Sequence, residues 1–242
     1  DLYGYPLLIK IKNDDDLALH AQNDFDDLIF TNDSILWKSG LVTDRLPHEI
    51  VNYDSTNGNL TVWVKVNEVD SDAYTTIHMY YNNPLSENYE NPSQVWNDNY
   101  LMVHHLDELS GIHYDSTNNN NDGTCYGGVV QSADGFIDTA DEFDGSDDYV
   151  DCGTNIFNEE ISLEAWIKTT ASGSQMAIIA KERVGGIYAY RLTMQSGGTV
   201  SFNFENPDGT WHVSGDSTTV VNDGIWHYVV GTYDGSTICI YV

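Results

Sequence analysis

Apolar and polar side chains alternate with a period of two through most of this chain. In LTVWVKV, Leu60, Val62, Val64 and Val66 take one side, and Thr61, Trp63 and Lys65 take the other. TTIHMYY, ISLEAWIKT, TVSFNFE and WHYVVGTY repeat the pattern. Successive side chains of a strand point to opposite faces, so each run predicts a strand with one face toward a core. Turn-forming pairs such as Asn57-Gly58, Asp144-Gly145, Gly197-Gly198, Asp208-Gly209 and Asp234-Gly235 punctuate the runs. No long segment carries a 3.6 period, and only a short helix is expected, around Asp15 to Asp24. Short strands between glycine-bearing turns predict an all-β chain built as β-sandwiches.

Composition divides that pattern in two. YYNNPLSENYENPSQVWNDNY is polar, holds Pro84 and Pro92, and separates two strand-rich parts. The expected domains are residues 1–93 and 98–242. Acidity runs through both: residues 1–97 hold 16 acids and 5 bases, and residues 98–242 hold 22 and 4, for a net charge of −29. Such a field repels nucleic acid and anionic membranes. No apolar run is long enough to cross a bilayer as a helix. The first residues, DLYGYPLLIKI, have neither the basic start nor the cleavage-like end of a signal peptide, so a trimmed, mature fragment is expected. Cys125, Cys152 and Cys239 form no CxxC pair, which argues against a structural zinc site. One disulfide with one free thiol fits the count. Asn32-Asp33-Ser34 and Asn59-Leu60-Thr61 match the N-glycosylation acceptor pattern and point outward from the cell.

The densest chemistry lies in DEFDGSDDYVDCG, Asp141 to Gly153, with six carboxylates in eleven residues. Its spacing fails the EF-hand template, which needs glycine at position 6 and glutamate at position 12. Glu142 and Asp144 lie two apart and raise a catalytic pair as one reading. A metal contact is a second. A solvated turn between a strand ending near Phe143 and one starting at Tyr149 is the third, and the one preferred.

Taken together, YLMVHHLDELSGIHYDSTNNNNDGTCYGG, DEFDGSDDYVDCG, ISLEAWIKT, IIAKE and DGIWHYVVGTYDGSTICIYV resemble the LamG-like jelly-roll modules of the concanavalin A-like lectin/glucanase superfamily. Each segment is weak alone, but five in order are specific. They span nearly all of residues 100–242. Members of that family continue past the YV with further strands, so the resemblance implies a module truncated at its C-terminus. YPLLIKI, DFDDLIFTN, LPHEIVNYD, LTVWVKV and TTIHMYYNNP resemble, less specifically, the domain-of-unknown-function family 2341. That family often precedes LamG-like modules in secreted proteins. It implies a β-sandwich and a surface context, and no activity.

The LamG-like resemblance implies a calcium ion at the sandwich rim, for which Asp107, Glu108, Asp115, Asp144 and Asp148 are the candidates. The plainer alternative is that Asp115 caps its own turn and the others are solvated. A sugar platform needs aromatics beside amides or charges, and Tyr188, Tyr190, Arg191 and Trp211 are the candidates. Cross-strand packing is the alternative. Trp166 and Trp226 fall in the family's core segments and are expected to be buried. His104 and His105 are strand neighbours pointing to opposite faces, so they cannot easily share one ion. The glucanase strand with two glutamates flanking a scissile bond does not occur, and no serine sits in a nucleophile elbow. No catalytic residue is assigned. The expected function is a non-catalytic, extracellular or cell-surface binding or adhesion module, with a glycan or cell-surface polymer as partner and calcium as the candidate cofactor. A structural spacer of a surface layer or stalk is the alternative, followed by a glycan-active enzyme.

Overall fold

The computed structural model describes residues 1–32, 45–154, 156, 159–182, 188–206 and 208–242. The first glycosylation acceptor, through Asp33 and Ser34, lies outside them. The chain is all-β and packs as two compact units, Asp1–Cys152 and Gly153–Val242.

The first unit contains β1 (Leu2–Ile11), α1 (Asp15–His20), β2 (Ile29–Thr31), β3 (Arg45–Leu46), β4 (His48–Asp54), β5 (Asn59–Val69) and β6 (His78–Tyr80). α2 (Pro92–Val95), β7 (Ile112–His113), β8 (Gly123–Tyr126), β9 (Val130–Asp134), β10 (Thr139–Glu142) and β11 (Tyr149–Asp151) follow. All its ladders are antiparallel. β5 is the centre of a β1-β5-β4 sheet, and β2 the centre of a β3-β2-β6 sheet. The alternation in β5 does what the sequence implies: Leu60, Val62, Val64 and Val66 are almost fully buried. Leu60, Val62 and Val64 join Leu17, Phe25, Leu28, Phe30 and Leu46 in one core. The short helix is limited at its start by Asp14, whose side chain accepts from the Leu17 N–H. Gly58 closes the β4–β5 hairpin with φ near +63°; a Cβ there would fall 2.0 Å from the Asp14 carbonyl oxygen.

The compact units do not divide at residues 93–98, where composition places a boundary. Segment 98–152 packs with the residues before it. Glu49 of β4 accepts hydrogen bonds from Trp96 Nε1 and, at 3.0 Å, from His105 Nε2. Trp63, Trp96, Tyr100 and His105 cluster beside it, mostly edge-to-face or tilted, with ring centroids 5.1–6.3 Å apart.

The second unit contains β12 (Ile161–Ile167), β13 (Met176–Glu182), β14 (Tyr188–Met194), β15 (Val200–Glu205), β16 (Trp211–Asp216), β17 (His227–Tyr233) and β18 (Ile238–Tyr241). One sheet runs β12-β17-β18 and the other β13-β14-β15-β16, all antiparallel. The sheets meet closely: a Cβ on Gly231 of β17 would fall 2.5 Å from the Phe202 ring of β15. Tyr190, Leu192, Met194, Val200, Phe202 and Phe204 form the buried apolar face of the four-stranded sheet.

His48 gives the first unit a pH dependence. The side chain is 2% exposed, paired through β4 with Val64 and tilted against the Phe30 ring. Burial lowers its pKa to about 4, against a smaller opposing effect of a backbone hydrogen bond at Leu46. The unfolded chain protonates this group near pH 6.5, while the folded protein resists until about pH 4. The contribution is therefore complete above pH 6.5 and is lost as pH falls toward 4, by up to about 3 kcal/mol. His48→Gln is expected to flatten this part of the stability–pH curve. Urea midpoints of both proteins from pH 4 to 7 check it, and parallel curves would show that His48 does not control the slope.

Candidate functional site

The acidic run of residues 141–151 is not one hairpin. β10 pairs with β9 and β11 pairs with β8, so the turn between them joins two ladders. Phe143 does not anchor a strand; it follows the end of β10 and is exposed. Within the turn, the Ser146 N–H donates to Asp144 Oδ1 at 2.7 Å and the Asp144 N–H to Asp148 Oδ2 at 2.8 Å. One carboxylate oxygen each from Asp144, Asp147 and Asp148 lie within 4.8 Å of one another. Asp148 Oδ1 is buried and accepts no hydrogen bond.

Asp107, Glu108 and Asp115 do not join that group. Asp115 is almost fully buried and works as a hub. It accepts from the N–H groups of Val103 (3.0 Å), Thr117 (3.0 Å) and Asn121 (2.9 Å) and from Thr117 Oγ1 (2.8 Å). Its lone pairs are committed to the turn DSTNNNND, the plainer of the two readings of this residue. Burial, then Glu108, raises the pKa of Asp107. Glu108 is held below the usual carboxylate value: burial opposes its charge, but hydrogen bonds from the Tyr114 N–H and His113 outweigh that.

Sequence reasoning missed a buried cluster around His113. The ring is fully buried on β7. Its Nδ1 lies 2.6 Å from Glu108 Oε2. Its Nε2 lies 3.2 Å from Cys125 Sγ of β8, 3.2 Å from Gln131 Nε2 of β9 and 2.8 Å from Asp141 Oδ2 of β10. The Asp141 side chain is also fully buried. Its pKa is raised by burial, against the pull of His113. Beside the cluster, His104 Nε2 lies 2.9 Å from the Asn121 carbonyl, and its Nδ1 lies 3.9 Å from Cys152 Sγ. His105 turns instead to Glu49, so the two adjacent histidines do serve different surroundings. The cysteines are free thiols. Cys125 pairs with Val150, which places Cys152, two residues on, diagonally opposite it on the same side. Burial, with Asp151, Asp115 and Cys125 nearby, pushes Cys152 up to about 11. The signal lay in three one-residue contributions from separate strands, which no spacing rule joins.

In the second unit the four sugar-platform candidates separate. Tyr190 is 4% exposed and faces the core, its hydroxyl donating to the Ile156 carbonyl at 3.0 Å. It therefore does not stand on a surface platform. Tyr188 begins β14, but its side chain lies outside the described residues. Trp211 is 45% exposed at the start of the edge strand β16 and pairs with Glu205. Arg191 shares that face through its row with Asn203 and Val213. Alternation thus gives the sheet an apolar face and a polar one, the latter carrying Arg191, Thr193, Ser201, Asn203 and Glu205. Thr193 Oγ1, Asn203 Oδ1 and Glu205 Oε2 are buried there without hydrogen-bond partners among the described residues. Trp166 and Trp226 are half-buried rather than core. Trp166 packs tilted against the exposed Tyr228 at 5.1 Å, on the face of β12 and β17 away from Leu163 and Val229.

Fold and sites together define an all-β chain whose polar groups gather on one sheet face, one acidic turn and one buried cluster. Residues 144–242 match the family described as Concanavalin A-like lectin/glucanases superfamily, and residues 24–123 match Domain of unknown function (DUF2341). The order is that expected from the sequence, and the C-terminal part is a concanavalin A-like domain. A solved structure similar to this chain is that of an S-layer domain-containing protein (residues 221-444) from Clostridium thermocellum ATCC 27405. It is 24% identical, the match covers 58% of this chain and 67% of that one, and the TM-score is 0.38. Comparison with curated proteins gives no match.

The committed lone pairs of Asp115 set an expectation. Asp115→Ala strands three N–H groups and a hydroxyl, and should cost about 2–4 kcal/mol of stability. The loss should be the same with calcium or with chelator. Urea titrations in both conditions check this, and a loss confined to calcium-containing buffer would make Asp115 a ligand instead.

Proposed function

We propose that this chain is a non-catalytic extracellular or cell-surface module that binds a glycan or cell-surface polymer. The observation that carries this reading is the polar sheet face of β14, β15 and β16. Buried acceptors without partners are costly, so Asn203 Oδ1 and Glu205 Oε2 favour a ligand that brings donors. Sugar hydroxyls are donors, and the C–H face of a sugar ring stacks on an indole such as the exposed Trp211. The match of residues 144–242 to a lectin/glucanase superfamily supports the same reading. The sequence offers no two-glutamate strand for hydrolysis. A charge of −29 disfavours polyanionic partners. Among the described residues, no helix is long and apolar enough to cross a membrane.

A glycan array probed with the whole chain tests it. Binding is expected to a restricted set of glycans and to fall at least 10-fold in Trp211→Ala, while the melting temperature holds. Glu205→Gln keeps the shape and removes the charge, and should change glycan preference. Binding to no glycan by the folded protein, or undiminished binding by Trp211→Ala, would leave the spacer reading in its place.

A second observation favours calcium. The convergent oxygens of Asp144, Asp147 and Asp148, with Asp148 Oδ1 buried and unpartnered, offer hard ligands of the kind calcium takes. This site lies in the turn, not on a rim shared with Asp107 and Asp115. Like charges so close repel, and a bound cation removes that repulsion. At fixed high sodium, millimolar calcium is expected to raise the melting temperature of the first unit, and Asp148→Asn to abolish the rise. A rise that survives Asp148→Asn would move the site elsewhere, and no rise would leave an acidic turn.

A further inference from the structure

We infer that His113, Cys125 and Asp141 form a buried binding site for a divalent transition-metal cation of the zinc class. Glu108 Oε2, 2.6 Å from His113 Nδ1, can only accept when ionised, so Nδ1 carries the hydrogen. The amide of Gln131 faces the other nitrogen. The Gly111 N–H donates to Gln131 Oε1 at 2.7 Å, which fixes the amide so that its NH2 points at His113 Nε2. Nε2 therefore presents a lone pair. Two further lone-pair bearers stand at the same point, Cys125 Sγ at 3.2 Å and Asp141 Oδ2 at 2.8 Å.

Asp141 supplies the independent sign of a ligand. Its side chain is wholly buried; Oδ1 has no hydrogen-bond partner among the described residues, and Oδ2 meets only the ring nitrogen, at 2.8 Å. An imidazole lone pair 2.8 Å from a carboxylate oxygen is repulsive unless something positive lies between or beside them. No lysine or arginine makes an ion pair with Asp141 among the described residues. One atom each of His113, Cys125 and Asp141 lie within 4.8 Å of one another, the spread of ligands around a single ion. Imidazole nitrogen, thiolate and carboxylate are together a donor set for zinc and not for calcium, which takes oxygen alone. Glu108 has the part of the carboxylate that orients a metal-bound histidine from behind. Three protein ligands leave one tetrahedral position for water. The residues reach the site from β7, β8 and β10, so the ion would fasten three short strands that bury little apolar surface of their own. Cys125 and Asp141 fall between the two family-matched segments, residues 24–123 and 144–242, and belong to neither.

The test uses the whole chain, purified under reducing conditions, with cobalt(II) and zinc(II) as probes. One equivalent of cobalt(II) is expected to give a sulfur-to-cobalt charge-transfer band, bleached by one equivalent of zinc(II). The many surface carboxylates cannot produce that band, because they offer no sulfur. Zinc(II) should also protect Cys125, and not Cys239, from alkylation by iodoacetamide, read by peptide mass. Cys125→Ser should lose the band, Asp141→Asn should weaken zinc binding at least 10-fold, and Glu108→Gln should weaken it about 10- to 100-fold. Absence of the band in the unmodified protein, or a band that survives Cys125→Ser, would overturn the site. The first result would leave His113 as a doubly protonated bridge between Glu108 and Asp141. Because the spectrum and the alkylation pattern are read on the unmodified chain, a variant that fails to fold does not blunt the test.

Discussion

A buried carboxylate holds the first unit together. Glu49 lies on β4, nearly out of water, where its charge is costly. Burial alone would raise its pKa. Hydrogen bonds from His105, Ser116 and Trp96 outweigh that and hold it below the ordinary value. A charge in this position cannot be left without its partners, so the chain beyond α2 must return to β4. Trp63, Trp96, Tyr100 and His105 then shield the carboxylate from water. The placement of residues 98–152 in the first unit, and with it the positions of β7, β8 and β10, rests on this contact.

The acids of the chain show how one residue type takes several roles. Asp115 is committed to four local donors and shapes a turn. Glu108 is ionised against His113 and the Tyr114 amide, and its pKa falls. Asp141, a few ångströms away, has a raised pKa because burial outweighs the pull of His113. Asp144 and Asp147 remain in solvent, and their repulsion is eased by salt or a cation. What separates these roles is the supply of donors at each depth, not the density of acids along the chain.

The second unit depends on close approach of its sheets. Gly231 has no side chain where the Phe202 ring needs the space, and Phe204 packs on Tyr233 at 4.5 Å. With one face of the β13–β16 sheet filled by apolar side chains, every second residue must point the other way. That face is polar and carries acceptors without partners. The same alternation that builds the core thus gathers Arg191, Asn203 and the buried Glu205 on one face, beside the exposed Trp211.

The sequence by itself determined the strand pattern, the shortness of the helix, the fold class and the two family resemblances. These follow from local periodicity and turn chemistry, which act between residues close along the chain. It also located the inward face of β5, while for Asp115 it left a calcium ligand and a turn cap as alternatives. Only the tertiary structure decided that Tyr190 packs inside while Trp211 stays out, although both sit in strands of similar composition. Only it showed that Asp107 and Glu108 lie apart from Asp144 and Asp148. The assembly of His113, Cys125 and Asp141 was invisible in sequence for the same reason. Each residue comes from a different strand, and the distance between strands is fixed by register and sheet pairing, which are set by the packed core rather than by any spacing along the chain.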